Sequence, residues 1–135
     1  MSIDESRREA RERSRRQPRV LLVDDHAGFV AQAQALLAAD GYDVVGTASD
    51  GHAAIEAAAR LRPDLILLDV QLPDIDGFET ASRLRSVVPA AAIVLVSTRS
   101  RADFGERLRT PAIDGFIAKI DLDGSAIRAL VLGRP

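Results

Sequence analysis

The sequence predicts an α/β fold in which five parallel strands form one doubly wound sheet with helices on both faces. Three observations carry this. Apolar runs of strand length alternate five times with helical patterns after residue 19. The connections are short and punctuated by Gly, Pro and Asp. The run Leu65-Ile66-Leu67-Leu68 is apolar at consecutive positions, as a strand covered on both faces must be.

The elements follow in order. Val20–Asp24 is an apolar run ending in two acids. Ala27–Asp40 places Phe29, Val30, Ala33, Leu36 and Leu37 at helical spacing, and Gly41 closes it. Tyr42–Ala48 is short and β-branched, a second strand. Asp50-Gly51 opens the second helix, and Arg62-Pro63 ends it through the restriction on residues before proline. After the third strand at 65–68, a loop with Pro73 leads to a helix over Gly77–Val88, opened by Asp76 and stopped near Pro89. Asp74 and Asp76 read as turn and cap residues. Ala92–Val96 is the fourth strand. Arg101–Arg109 is a short polar helix interrupted by Gly105, Ile113–Ala118 the fifth strand, and Gly124–Leu132 the last helix.

Right-handed crossovers leave few arrangements of such units. The order 2-1-3-4-5, the flavodoxin-like (βα)5 arrangement, is the common one. It sets the first and third strands side by side at the topological switch point, where ligands bind outside the carboxyl ends of the strands.

Composition narrows the function. The chain has 135 residues and a formal net charge of −2, so bulk electrostatics give no case for nucleic-acid or membrane binding. It has no Cys and only two His, His26 and His52, which excludes a disulfide scaffold, a thiol nucleophile and a multi-His metal site. No apolar run approaches the roughly 18 residues a membrane span needs. The N-terminus lacks the apolar stretch of a secretory signal, and a cytoplasmic location is expected. Residues 1–19 carry seven Arg against four acids, and the remainder 11 basic against 16 acidic residues. Segment 1–18 therefore reads as an Arg-rich tail, disordered or a frayed helix, ahead of a domain over 19–135.

The carboxyl ends of the strands hold the chemistry. The first ends in Asp24-Asp25, the third in Asp69, the fourth in Ser97-Thr98 and the fifth in Lys119. Three converging carboxylates repel one another unless a cation joins them. Mg²⁺, a hard ion that takes one or two carboxylates together with waters and a phosphate oxygen, resolves the repulsion. Lys119 offers a positive charge to a phosphoryl group, and Ser97 or Thr98 a hydroxyl. Asp69, central in the sheet, is the expected nucleophile, forming an aspartyl-phosphate. His26 reads as an exposed first-turn residue, and His52 has no assigned role.

These segments, V-L-L-V-D-D-H at 20–26, P-D-L-I-L-L-D at 63–69, L-P-D-I-D-G at 72–77, I-V-L-V-S-T at 93–98 and G-F-I-A-K at 115–119, resemble the receiver domain of two-component response regulators. With D-G-H-A-A-I-E at 50–56, the resemblance is closest to receivers that precede LuxR-type DNA-binding domains. It implies that Asp69 accepts a phosphoryl group from a sensor histidine kinase and that Asp25 binds Mg²⁺ directly, with Asp24 assisting. It also implies that the backbone carbonyl of Gln71 is a metal ligand, that Lys119 holds the phosphoryl oxygens, and that Ser97 and Phe116 form the switch pair. The surface that changes, and where two copies would pair, would be the fourth helix, fifth strand and fifth helix, acting on an unknown downstream protein without direct nucleic-acid contact.

Three departures stand out. Ile120 replaces the proline that usually follows the lysine, and since a non-proline cis bond costs roughly 3–4 kcal/mol, a trans bond is expected there. Thr98 replaces a smaller residue. Only 16 residues follow Lys119, which reads as a stand-alone receiver. Two other functions compete: a phosphorylation-independent pseudo-receiver, and an aspartate-based phosphohydrolase, for which the first strand has the wrong motif. No turnover enzyme is expected.

Overall fold

The computed structural model describes residues 17–131. Most of the segment read as an Arg-rich tail, and Leu132 of the last helix, lie outside the described residues. The order is β1 (Arg19–Val23), α1 (Ala27–Ala39), β2 (Asp43–Ala48), α2 (Gly51–Leu61), β3 (Leu65–Asp69), α3 (Gly77–Val87), β4 (Ala92–Ser97), α4 (Arg101–Phe104), β5 (Gly115–Ala118) and α5 (Gly124–Val131). Short 3₁₀ turns span Gly105–Leu108 and Lys119–Asp121. The sheet has the expected order β2-β1-β3-β4-β5, and each neighbouring pair runs parallel.

The pleat divides the core into two layers, because successive strand residues point to opposite faces. Leu21, Val23, Ile66, Leu68, Ile93 and Leu95 pack on Ala54 and Ala58 of α2 and on Ala81 and Leu84 of α3. Val20, Leu22, Leu65, Leu67, Val94 and Val96 pack on Ala33 and Leu37 of α1 and on Ile127 of α5. Every residue of β3 and β4 is buried, which explains the consecutive apolar positions. Each fully buried Leu, Ile or Val contributes about 1.5–3 kcal/mol.

Caps fix the helix ends that matter. Asp50 Oδ1 accepts from Ala53 N–H at 2.7 Å and Asp76 Oδ1 from Glu79 N–H at 2.8 Å, so α2 and α3 begin where the acids stand. Asp74 takes the N–H groups of Gly51 and His52 at 2.8 and 2.9 Å, tying the loop after β3 to the start of α2. Desolvation opposes ionisation of Asp74, but the N–H groups of Gly51, His52 and Ile75 and the His52 ring outweigh it and hold the carboxyl well below the usual range. Asp40 follows the last turn of α1, and its Oδ2 accepts from Gly124 N–H at 2.9 Å. Tyr42 donates its hydroxyl to Gly124 O at 3.2 Å.

The second helix ends before Arg62-Pro63 as expected, with Arg62 in the left-handed region (φ 50°) because its N–H still closes the last turn on Ala58 O. Two expectations are corrected. The helix expected over 101–109 is α4 plus a 3₁₀ turn, since Gly105 takes φ 53°, a conformation that costs glycine least. The fifth strand starts at Gly115, not Ile113. Asp114 Oδ2 captures Ile93 N–H at 2.8 Å while pairing with Arg85 at 2.9 Å, so a side chain replaces the ladder bond there.

Candidate functional site: an acidic cluster with one lysine

Four loops at the carboxyl edge of the sheet bring the expected residues together. Asp24 and Asp25 follow β1, Asp69 ends β3, Ser97 ends β4 and Lys119 follows β5. Asp24 and Asp69 are buried, their side chains 2% and 4% exposed, while Asp25 is 38% exposed and faces the mouth. Lys119 Nζ lies 2.6 Å from Asp24 Oδ2 and 3.4 Å from Asp69 Oδ2. It also sits 4.3 Å from the centroid of the Phe29 ring, whose negative face favours the ammonium.

The electrostatics are unbalanced without a further cation. Burial, and then the Asp24 carboxylate, raise the pKa of Asp69 above its ordinary value, against the opposing pull of Lys119 and of Gln71 N–H. Gln71 N–H donates to Asp69 Oδ1 at 3.3 Å. Asp24 Oδ2 is buried and pairs with the Lys119 ammonium at 2.6 Å. One ammonium thus faces three carboxylates. The all-oxygen donor set of Asp24, Asp25 and Asp69 therefore fits a hard divalent cation.

Ser97 is buried, and its Oγ accepts from Arg99 N–H at 3.0 Å, which leaves its own proton to donate. Phe116 points inward and closes a row of rings, Phe78–Phe104 at 5.9 Å and Phe104–Phe116 at 5.5 Å between centroids. Arg101 lies 5.6 Å over Phe116 and donates to its carbonyl. Ile120 is 93% exposed, and no peptide bond among the described residues is cis, as expected without proline. Thr98 is exposed and lines a groove with His26, Phe29, Lys119 and Ile120.

Sequence reasoning missed one participant. His26 is exposed as expected, but its Nδ1 turns inward, 2.9 Å from Asp24 Oδ1, 3.2 Å from Asp25 Oδ1 and 3.8 Å from Asp69 Oδ2. Its backbone N–H also donates to Asp24 Oδ1, at 2.8 Å, and this turn aims the ring at the cluster. The only signal was the adjacency of His26 to Asp24-Asp25.

With this geometry in place, comparison with known proteins defines the class. The pattern of the response regulator receiver domain matches residues 20–131, and the chain belongs to that family. It is a receiver domain, the module response regulators use as a phosphorylation-operated switch. The chain is 41% identical over 118 residues to a protein-glutamate methylesterase/protein-glutamine glutaminase of Anaeromyxobacter dehalogenans, covering 87% of this chain and 33% of that protein. It is 36% identical over 101 residues to the transcriptional regulatory protein PdtaR of Mycobacterium tuberculosis, covering 75% of this chain and 49% of that one. Thus the chain spans a third to a half of the length of these relatives. Among solved structures, the receiver domain of the putative response regulator NarL from M. tuberculosis superposes with a TM-score of 0.75 at 28% identity, covering 87% and 98% of the two chains. A LuxR-family response regulator from Aurantimonas gives 0.73 at 26%, covering 87% of each. No described helix is long and apolar enough to cross a membrane.

Proposed function

We propose that this chain is a signalling switch in which Asp69 accepts a phosphoryl group from the phosphohistidine of a sensor histidine kinase, with Mg²⁺ held by Asp24, Asp25, Asp69 and the Gln71 carbonyl. The observation that carries this reading is the convergence of three carboxylates and one ammonium at the switch point of a receiver fold.

In the reaction an Asp69 carboxylate oxygen bonds to phosphorus as the P–N bond of the donor breaks, its electron pair returning to the donor imidazole. Bound Mg²⁺ supplies positive charge that relieves carboxylate repulsion and neutralises phosphoryl oxygens. Lys119, 3.4 Å from Asp69, is placed to bind a phosphoryl oxygen. Ser97 donates its free proton to another, drawing the β4–α4 connection toward the site. Phe116, in contact with Phe104 of α4, then links that movement to the α4–β5–α5 surface. A downstream protein, or a second copy, reads that surface; no turnover and no direct nucleic-acid contact is required. The cytoplasm, where such kinases present phosphohistidine, is the location this function needs.

Incubation with Mg²⁺ and acetyl phosphate, followed by intact-mass measurement, tests the reading. An increment of about 80 Da is expected on the wild type, and none with Asp69→Ala or without Mg²⁺. No increment, even with a phosphorylated histidine kinase as donor, overturns it and leaves a phosphorylation-independent interaction module.

A further inference from the structure

We infer that Phe29 is a positioning residue for the phosphoryl transfer: the face of its ring holds the Lys119 ammonium at the acidic crevice, where a phosphoryl oxygen on Asp69 would meet it. The inference rests on the reading of Asp69 as the phosphoacceptor and names the group that keeps its lysine in place.

The backbone around Lys119 does little to hold its side chain. This is the only lysine of the chain, and it stands just beyond β5, a strand of four residues at the edge of the sheet. It opens the 3₁₀ turn Lys119–Asp121, and the next residue, Ile120, is 93% exposed. A lysine is a point charge on a flexible stem, with no planar fork to set its direction. Its side chain is nevertheless only 11% exposed. The ammonium lies 4.3 Å from the centroid of the Phe29 ring, inside the roughly 6 Å over which a ring face attracts a cation.

The ring is a firmer support than the stem. Phe29 belongs to the first turn of α1 and packs, half-buried, on the core layer that contains Ala33 and Leu37. An aromatic side chain has only two torsions to fix. From Ala27 to Ala39 the helix carries no charged residue, so no other side chain of α1 competes for the ammonium. The start of a helix is the positive end of its dipole and disfavours a cation. Phe29 turns a negative face to Lys119 there instead.

The consequence falls on the transfer. Lys119 Nζ lies 2.6 Å from Asp24 Oδ2 and 3.4 Å from Asp69 Oδ2. To meet a phosphoryl oxygen it must shift away from Asp24. A lysine tied by carboxylates alone would stay on that buried charge or leave for water. Attraction to a ring face uses no particular lone pair, so the ammonium can change partners while Phe29 keeps it over the crevice.

A single lysine makes the contact readable by NMR, without Mg²⁺ or a phosphoryl donor. In protein labelled with ¹³C-lysine, the Lys119 Hε signals are expected upfield of those of free lysine, through the Phe29 ring current. The displacement is expected to vanish in Phe29→Leu, which keeps apolar bulk but lacks the ring, and to persist in Phe29→Tyr. With acetyl phosphate and Mg²⁺, Phe29→Leu is expected to be phosphorylated roughly five- to thirtyfold more slowly, and Phe29→Tyr to recover the rate. The half-saturating Mg²⁺ concentration is expected to stay unchanged in both, since Phe29 is no ligand. A free-lysine signal in the wild type, or an upfield signal that survives Phe29→Leu, overturns the inference. So does a wild-type rate in Phe29→Leu, an equal loss in Phe29→Tyr, or a loss that thermal melts trace to unfolding. The two readings fail separately. A wild type that takes no phosphoryl group removes the acceptor role of Asp69, while the lysine signal decides the hold of Phe29 by itself.

Discussion

Gly77→Ala is a one-atom test of how the phosphoacceptor is held. Gly77 opens α3, and its N–H donates to Val70 O at 2.7 Å, folding the loop back on the end of β3. A methyl group there would lie 2.5 Å from Asp69 O and 2.7 Å from Val70 Cα, about 1 Å inside ordinary contact. Both obstacles are backbone and cannot rotate away. Alanine favours a helix over glycine by up to about 1 kcal/mol. Overpacking against fixed atoms costs about 1–3 kcal/mol. The clash wins, with a net loss of about 1–2 kcal/mol and a drop in melting temperature of about 4–8 °C. Because the displaced backbone carries Asp69, phosphorylation slows by about tenfold to a hundredfold. Gly28→Ala is the control: it too lies in a helix, but nothing stands within 4 Å of the added atom, so it gains about 0.5–1 kcal/mol. Thermal melts and acetyl phosphate time courses on both variants decide. If Gly77→Ala is as stable as Gly28→Ala and is phosphorylated at the wild-type rate, the close approach at Asp69 does not position the acceptor.

Two further outcomes follow from the packing and the charges. Asp69 has a raised pKa in the fold, so the folded chain holds the proton more tightly than the unfolded one, and stability falls as pH rises through the ordinary carboxylate value toward the folded one. Metal-free Asp69→Asn is therefore more stable than wild type at pH 7, a gain that vanishes below about pH 4 in pH-resolved melts; Mg²⁺ at a hundredfold excess over its Kd stabilises the wild type by about 2.7 kcal/mol and reverses the order. Phe104→Ala removes the middle ring of the Phe78–Phe104–Phe116 row and costs about 3–5 kcal/mol in urea denaturation, with faster flipping of the Phe116 ring by NMR.

The sheet and most of the site were legible in the sequence because both follow from patterns of adjacent residues. Leu65–Leu68 reads as a central strand because burial on two faces removes alternation, and the acids at 24, 25 and 69 stand at the ends of such runs. What escaped depends on torsion angles and on contacts between distant residues. The ring of His26 turns inward because Asp24 captures its backbone N–H, and no spacing encodes that rotation. Asp114 displaces the start of β5 through Ile93 N–H, 21 residues away. Arg62 adopts a left-handed conformation against its local preference because the α2 cap requires it.

The clamp at Asp40 and Tyr42 ties the two ends of the domain's helical sequence together. Both groups hold Gly124, the first residue of α5, across 84 and 82 positions of chain. Opening the final helix would therefore unseat the end of the first helix at the same time. Amide protons of α5 and the last turn of α1 should exchange together, as one unit.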